Sequence, residues 1–357
     1  MCKLLCDLIN TTLTGKPLEL GEVTEADWRR CFDLALQQNV LAMTFPAMSS
    51  LPKELRPSFT LWSKWMAYTQ SVAEQSQYKR QVVKKIGSWL ADDGLSTTIL
   101  KGFSLSALYP NPNLREFSDI DIFSGERYDA VNACFAKHGV PVDNVDGHHA
   151  YLKLDGVPIE HHFAFTNTKV KRGLKRPEEA LQLYIQKDQQ STIVRGVFFP
   201  CNVFTALEVG NHAYGHFLQE KIEVRHVIDW FLALHQLSDI EAGLVNGIKS
   251  NTRWGAFDDT LTAIAIHKLG IPQDWFPQKE VEAAASISES QEQKIWDDSI
   301  NTPHTAKSKS SNQRRINIAK RMLRNSWKYN EYAEIPVSKL IIKQYIGHLK
   351  FKIRNNV

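Results

Sequence analysis

The stretch "LKGFSLSALYPNPNLREFSDIDIF", residues 100–123, decides how this 357-residue chain is read. Near its end, carboxylate and apolar side chains alternate from Asp119 to Ile122. Successive side chains of a strand face opposite ways, so Asp119 and Asp121 share one face while Ile120 and Ile122 pack on the other. Two carboxylates on one face repel unless a cation lies between them. A hard divalent ion, Mg²⁺ or Mn²⁺, takes such carboxylates and completes its shell with water and phosphate oxygens. Glu160 in "VPIEHHF" (157–163) supplies a third carboxylate on an expected neighbouring strand, with His162 two positions on and on the same face.

Upstream, the β-branched run "STTIL" (96–100) leads into Lys101 and Gly102, and "SLSALY" (104–109) has helical character. A glycine at a strand-to-helix turn lets backbone N–H groups and the positive end of a helix meet phosphate oxygens. Lys101 and Arg115 flank this space with the positive charge that a triphosphate needs. Downstream, a helix is expected from about Glu126 to His138, then a hairpin pairing "HAYLKLDG" (149–156) with "VPIEHHFAF" (157–165) across Asp155-Gly156, a strong turn signal.

Working outward, residues 1–94 show apolar residues at helical spacing, with Thr24 as a helix start and Pro52 to Pro57 separating two long helices. Residues 95–200 form the expected α/β core. Residues 201–357 return to helices, interrupted by the polar linker "NTPHTAKSKSSNQ" (301–313), with two amphipathic helices closing the chain. The fold class is α+β, a small mixed sheet flanked by helical units. A hydrophobic fraction of 43% and a charged fraction of 23% exclude disordered and fibrous classes. No apolar run is long enough for a membrane span, and Lys3 and Asp7 interrupt any signal core, so a cytoplasmic protein is expected. Five scattered cysteines read as reduced thiols. The net charge of +4 is concentrated in residues 301–357, where thirteen Lys and Arg face two Glu. Interspersed basic residues on helices read as a solvated face, which argues against a nucleic-acid partner.

The ordered set of a phosphate-binding turn, a carboxylate pair and a later carboxylate resembles the nucleotidyltransferase superfamily, with its polymerase-beta-like fold. The resemblance is closer to an uncharacterised bacterial nucleotidyltransferase family with a Leu-Lys-Gly, Tyr-Pro, Arg, Asp-Ile-Asp succession followed by Ile-Glu-x-His. It continues in "EVGNHAYGHF" (208–217) and "EVRHVIDWFLAL" (223–234). It implies an enzyme that moves a nucleoside monophosphate from an NTP to an acceptor, releasing pyrophosphate. Asp119, Asp121 and Glu160 would be the catalytic residues and the metal ligands, with Mg²⁺ or Mn²⁺ as cofactor, while Lys101, Gly102 and Ser104 would hold the nucleotide's phosphates and Arg115 would neutralise charge near the metal. The acceptor, a small molecule, a saccharide or a protein hydroxyl, would meet residues such as His162, His212, His216, Arg225 and Asp229. Phe103 departs from the wider pattern, which favours Ser or Gly directly after the glycine.

Plainer readings stand beside these. His212 and His216, four apart, share a helical face, but no Glu follows the first and no Cys is near, which disfavours zinc. Arg225 and Asp229, also four apart, suit either an intrahelical ion pair or the cleft lining. The alternative to catalysis is a nucleotide- or partner-binding protein that keeps the fold.

Overall fold

Four helices precede the sheet: α1 (Lys3–Thr14), α2 (Glu25–Gln37), α3 (Leu41–Ser49) and α4 (Phe59–Asp92). The start of α2 is fixed by a capping box in which Thr24 and Asp27 satisfy each other's backbone N–H groups. Between α3 and α4, the Pro52–Pro57 stretch forms a short 3₁₀ turn, and Ser58 caps α4. The computed structural model describes residues 3–166, 175–185, 190–191, 194–301, 320 and 323–333.

The sheet has strands β1 (Thr97–Leu100), β2 (Ile120–Phe123), β3 (Asn144–Asp146), β4 (His149–Leu154), β5 (Val157–His162) and β7 (Val197–Phe199), with a two-residue edge strand, β6 (Gln190–Ser191). Their order is β3-β4-β5-β2-β1-β7-β6. The pairs β2·β5 and β1·β7 are parallel, and the remaining neighbours are antiparallel. Asp155 and Gly156 both take positive φ, +50° and +82°, as a two-residue hairpin between twisted strands requires. Helices α5 (Lys101–Ser106) and α6 (Tyr128–Lys137) follow β1 and β2, and α7 (Lys175–Tyr184) follows the hairpin.

The two faces of the sheet have different fates. Ile99, Ile120, Ile122, Leu152, Leu154 and Ile159 pack under Val82, Val83, Ile86 and Leu90 of α4 and Val131, Cys134 and Phe135 of α6. Burial of each such side chain is worth about 1.5–3 kcal/mol. The opposite face turns toward α8 (Asn202–Gln219) and α9 (Val224–His235), followed by α10 (Asp239–Lys249), α11 (Arg253–His267), α12 (Gln278–Ala285), α13 (Glu289–Asn301) and α14 (Ser326–Tyr332). Helices from both ends of the chain share one apolar cluster, including Leu8, Trp28, Trp65, Phe204, Phe231 and Phe257. Asn39 Nδ2 donates to Glu223 Oε2 at 2.6 Å and Val224 N to Gln38 Oε1 at 3.0 Å across that junction.

Two local expectations shift. The helix after β1 starts at Lys101 rather than Ser104, and Asp119 precedes β2 rather than lying within it. Most of the linker and of the basic closing segment lies outside the described residues. No helix among the described residues is long and apolar enough to cross a membrane.

Candidate active site

Parallel pairing of β2 with β5 sets Asp121 opposite Glu160 and Phe123 opposite His162, so one face gathers both acids and the imidazole. Asp121 Oδ1 accepts a hydrogen bond from Lys101 Nζ at 2.8 Å and lies 2.8 Å from His162 Nε2. His162 Nε2 is 3.6 Å from Glu160 Oε2 and 3.3 Å from Lys101 Nζ. Lys101 reaches this point because strand passes into helix with no loop between, and it takes φ +41°, a left-handed conformation that a lysine rarely adopts. Gly102 is required for space: a Cβ there would sit 2.7 Å from Phe117 Cβ.

Burial dominates the electrostatics and the neighbours decide the sign. It would raise the pKa of Asp121, but the Lys101 ammonium and His162 outweigh it and hold this carboxyl well below its ordinary range. Asp119, which lines the same cavity, is raised by burial and by repulsion from Asp121 and Glu160. Glu160 is lowered against its burial by the hydrogen bond with His162. For His162, burial and Lys101 act downward, and hydrogen bonds to Asp121 and Glu160 carry the pKa above its usual value. The donor set suits a divalent cation: ligand atoms of Asp121, Glu160 and His162 lie within 4.8 Å of one another. The mutually close trio therefore includes His162, where the sequence suggested Asp119.

Arg115 and Asp229 brace the wall. Asp229 Oδ1 accepts from Arg115 Nε at 2.8 Å and from the Tyr109 hydroxyl at 2.7 Å, and Oδ2 accepts from Arg115 Nη2 at 2.6 Å. Arg115 Nη1 donates to the Gly102 carbonyl at 2.9 Å, so this guanidinium is buried and its donors are committed to protein. The intrahelical Arg225–Asp229 pair is replaced: Arg225 donates to the Glu116 carbonyl at 2.9 Å and approaches Glu223 Oε2 at 3.4 Å. Ser104 faces away, its Oγ donating to the Lys101 carbonyl, and it lines a separate hollow with Phe199 and Asn202. Phe103 is buried edge-to-face on Phe117. Between the acidic floor and α8 lies a cavity of about 720 Å³, lined by Lys101, Asp119, Asp121, Glu160, His212, His216 and Arg225 among others.

A family model described as uncharacterised nucleotidyltransferase matches residues 24–264, more than half of the chain. The chain belongs to that nucleotidyltransferase family. No curated protein matches it. Among solved structures, the chain is similar to the antibiotic-resistance factor ANT(2'')-Ia, whose solution structure was reported with substrate-regulated conformation dynamics. The TM-score is 0.38 at 15% identity, over 48% of this chain and 91% of that one. A crystal structure of ANT(2'')-Ia in complex with adenylyl-2''-tobramycin gives 0.36 at 15% identity, over 50% and 97%.

In this member of the family, α8 and α9 contribute groups that the sequence reading passed over. Glu208 is buried, accepts a long hydrogen bond of 3.4 Å from the Lys101 backbone N–H, and leaves Oε1 without a partner among the described residues. Burial, reinforced by Asp121 and offset by Lys101, pushes its pKa up to about 7. The residue signal for it was a lone acid within the apolar run "FTALEVGNHAY" (204–214). His226 of α9 joins His212 and His216, yet Glu223 N donates to its Nδ1 at 3.0 Å. That bond leaves a neutral ring with its proton on Nε2, a donor rather than a metal ligand. Nε2 is buried and has no partner among the described residues.

Proposed function

We propose that this protein transfers a nucleoside monophosphate from an NTP to a hydroxyl-bearing acceptor, with release of pyrophosphate. One observation carries the reading: Asp121 and Glu160 stand opposite each other on adjacent parallel strands at the floor of the cavity, with the Lys101 ammonium beside them.

Asp121 and Glu160, with Asp119 lining the same cavity, would hold a divalent cation, which when bound would neutralise charge on the triphosphate. Lys101 offers the same phosphates an ammonium that Asp121 already orients. Gly102 lets the turn approach the cleft closely, and Arg115 keeps that turn in place through the Gly102 carbonyl. The acceptor lies against α8, where Glu208 Oε1 takes the proton from its hydroxyl. A carboxylate whose pKa is raised to about 7 is better matched to that task than an ordinary one.

The test is incubation with ATP, CTP, GTP or UTP labelled at the α-phosphate, with Mg²⁺ or Mn²⁺ and a panel of sugars, amino-sugars and serine-bearing peptides. Pyrophosphate release is expected to fall at least about 10³-fold in Asp121→Asn and in Glu160→Gln. If calorimetry finds no NTP binding to the parent protein with either ion, the reading is wrong. NTP binding with no turnover on any acceptor would favour the nucleotide-binding alternative.

A further inference from the structure

We propose that His162 is itself a metal ligand, forming with Asp121 and Glu160 a mixed nitrogen and oxygen site that selects a first-row transition ion over Mg²⁺. The proposal rests on the nucleotidyl-transfer reading and adds a nitrogen donor to it.

The spacing of the three groups is the first argument. Ligand atoms about 2.0–2.2 Å from a shared ion and at right angles to each other lie about 3 Å apart. Asp121 Oδ1 and Glu160 Oε2 lie 2.8 Å and 3.6 Å from His162 Nε2, on either side of that value. The second argument is orientation. His162 is fully buried, and its Nδ1 faces the Ala164 carbonyl at 3.4 Å, which leaves Nε2 as the nitrogen turned to the acids. A backbone carbonyl behind the far nitrogen is the usual arrangement for a metal-binding imidazole.

The third argument is the Lys101 ammonium, which sits 2.8 Å from Asp121 Oδ1 and 3.3 Å from His162 Nε2. A cation is thus already accommodated between an acid and this nitrogen. With no ion bound, Nε2 meets the acids through its proton, and an incoming ion would take the lone pair that this proton occupies. A proton and a metal compete for that lone pair, so loading the site releases the proton. Mg²⁺ prefers an all-oxygen shell, while imidazole draws the site toward Mn²⁺ and its later neighbours.

Mn²⁺ is the probe. Pulsed electron paramagnetic resonance on the full chain loaded with Mn²⁺ should show ¹⁴N modulation that changes when the histidines are labelled with ¹⁵N. This measurement uses the parent protein and stands even if a variant fails to fold. The modulation should vanish in His162→Gln and persist in His148→Gln, whose ring is nearby but outside the trio. Displacement of Mn²⁺ by Mg²⁺ should become easier by about 10- to 100-fold in His162→Gln. Bound Mn²⁺ without nitrogen modulation, or modulation that survives in His162→Gln, overturns the assignment but leaves nucleotidyl transfer standing. Absence of any Mn²⁺ or Mg²⁺ binding, with or without a non-hydrolysable NTP analogue, overturns both.

Discussion

His161 turns its ring toward α6, with Nδ1 2.7 Å from Asn132 Oδ1 and Nε2 3.0 Å from Ser124 Oγ. Burial pushes its pKa down to about 3, so it is a neutral packing group. Its neighbour His162 faces the acids. Strand alternation made that division legible from the sequence, just as it separated Asp121 from Ile120 and Ile122. The sequence marks Glu208 only as a lone acid in an apolar run and His226 not at all, because their roles depend on which helix packs over the sheet. Gly102 offers a direct residue-scale test: in Gly102→Ala the new Cβ must displace Phe117 from a contact of 2.7 Å. Overpacking of that kind costs about 1–3 kcal/mol, to be read from urea unfolding, and it should weaken NTP binding as the turn shifts.

Asp258 is a second residue-scale case. It is fully buried, neither carboxylate oxygen has a partner among the described residues, and burial raises its pKa well above the usual range. The folded protein therefore binds a proton here that the unfolded chain releases at lower pH. Stability from this site is complete below the unfolded carboxylate pKa and is lost as pH rises toward the raised one. Asp258→Asn should remove that dependence. Its stability relative to the parent protein is expected to grow between about pH 4 and the raised pKa, as urea midpoints at successive pH values would show.

Among the elements, the hairpin β4–β5 was readable because Asp155-Gly156 states its turn locally. That β5 neighbours β2 was expected from the acids they carry, but the parallel sense and register of the pair were not, since it joins strands separated by α6 and β3–β4 and leaves no local signature. The same holds for α9. Its Arg225 and Asp229 suggested a pair within one helix, but the partner of Asp229 is Arg115, 114 residues earlier. Removing one member of such a buried pair strands the other, so Arg115→Met is expected to cost about 3–5 kcal/mol in urea unfolding. The double variant Arg115→Met/Asp229→Leu should recover much of that loss. If the double variant is no more stable than the single one, the pair does not brace α9 against the loop.

For the whole molecule, α4 ties the N-terminal helices to the sheet, because Val82, Val83, Ile86 and Leu90 cover the face opposite the acids. The fold class was legible in the change from helical spacing to alternation near residue 96, but not the single apolar cluster formed by helices from both ends of the chain. A chain beginning at residue 95 should therefore lose near-ultraviolet circular dichroism and bind the dye ANS, since the part of the Ile and Leu sheet face that α6 does not cover would stand open to water. A native spectrum from that fragment would show that α4 is dispensable.

The cavity is built by two unlike jaws. One is fixed: the strands, the Lys101 turn and the Arg115–Asp229 brace hold one another through buried bonds, and little in it can change without loosening the rest. The other is the exposed face of a single helix, where His212, Gly215, His216 and Gln219 meet the cavity at helical spacing and at least partly open to solvent. The two jaws differ in how much of their surface is already committed to buried partners. Substitutions at those four positions are thereby expected to leave the buried bonds of the first jaw intact, as unchanged urea midpoints would show.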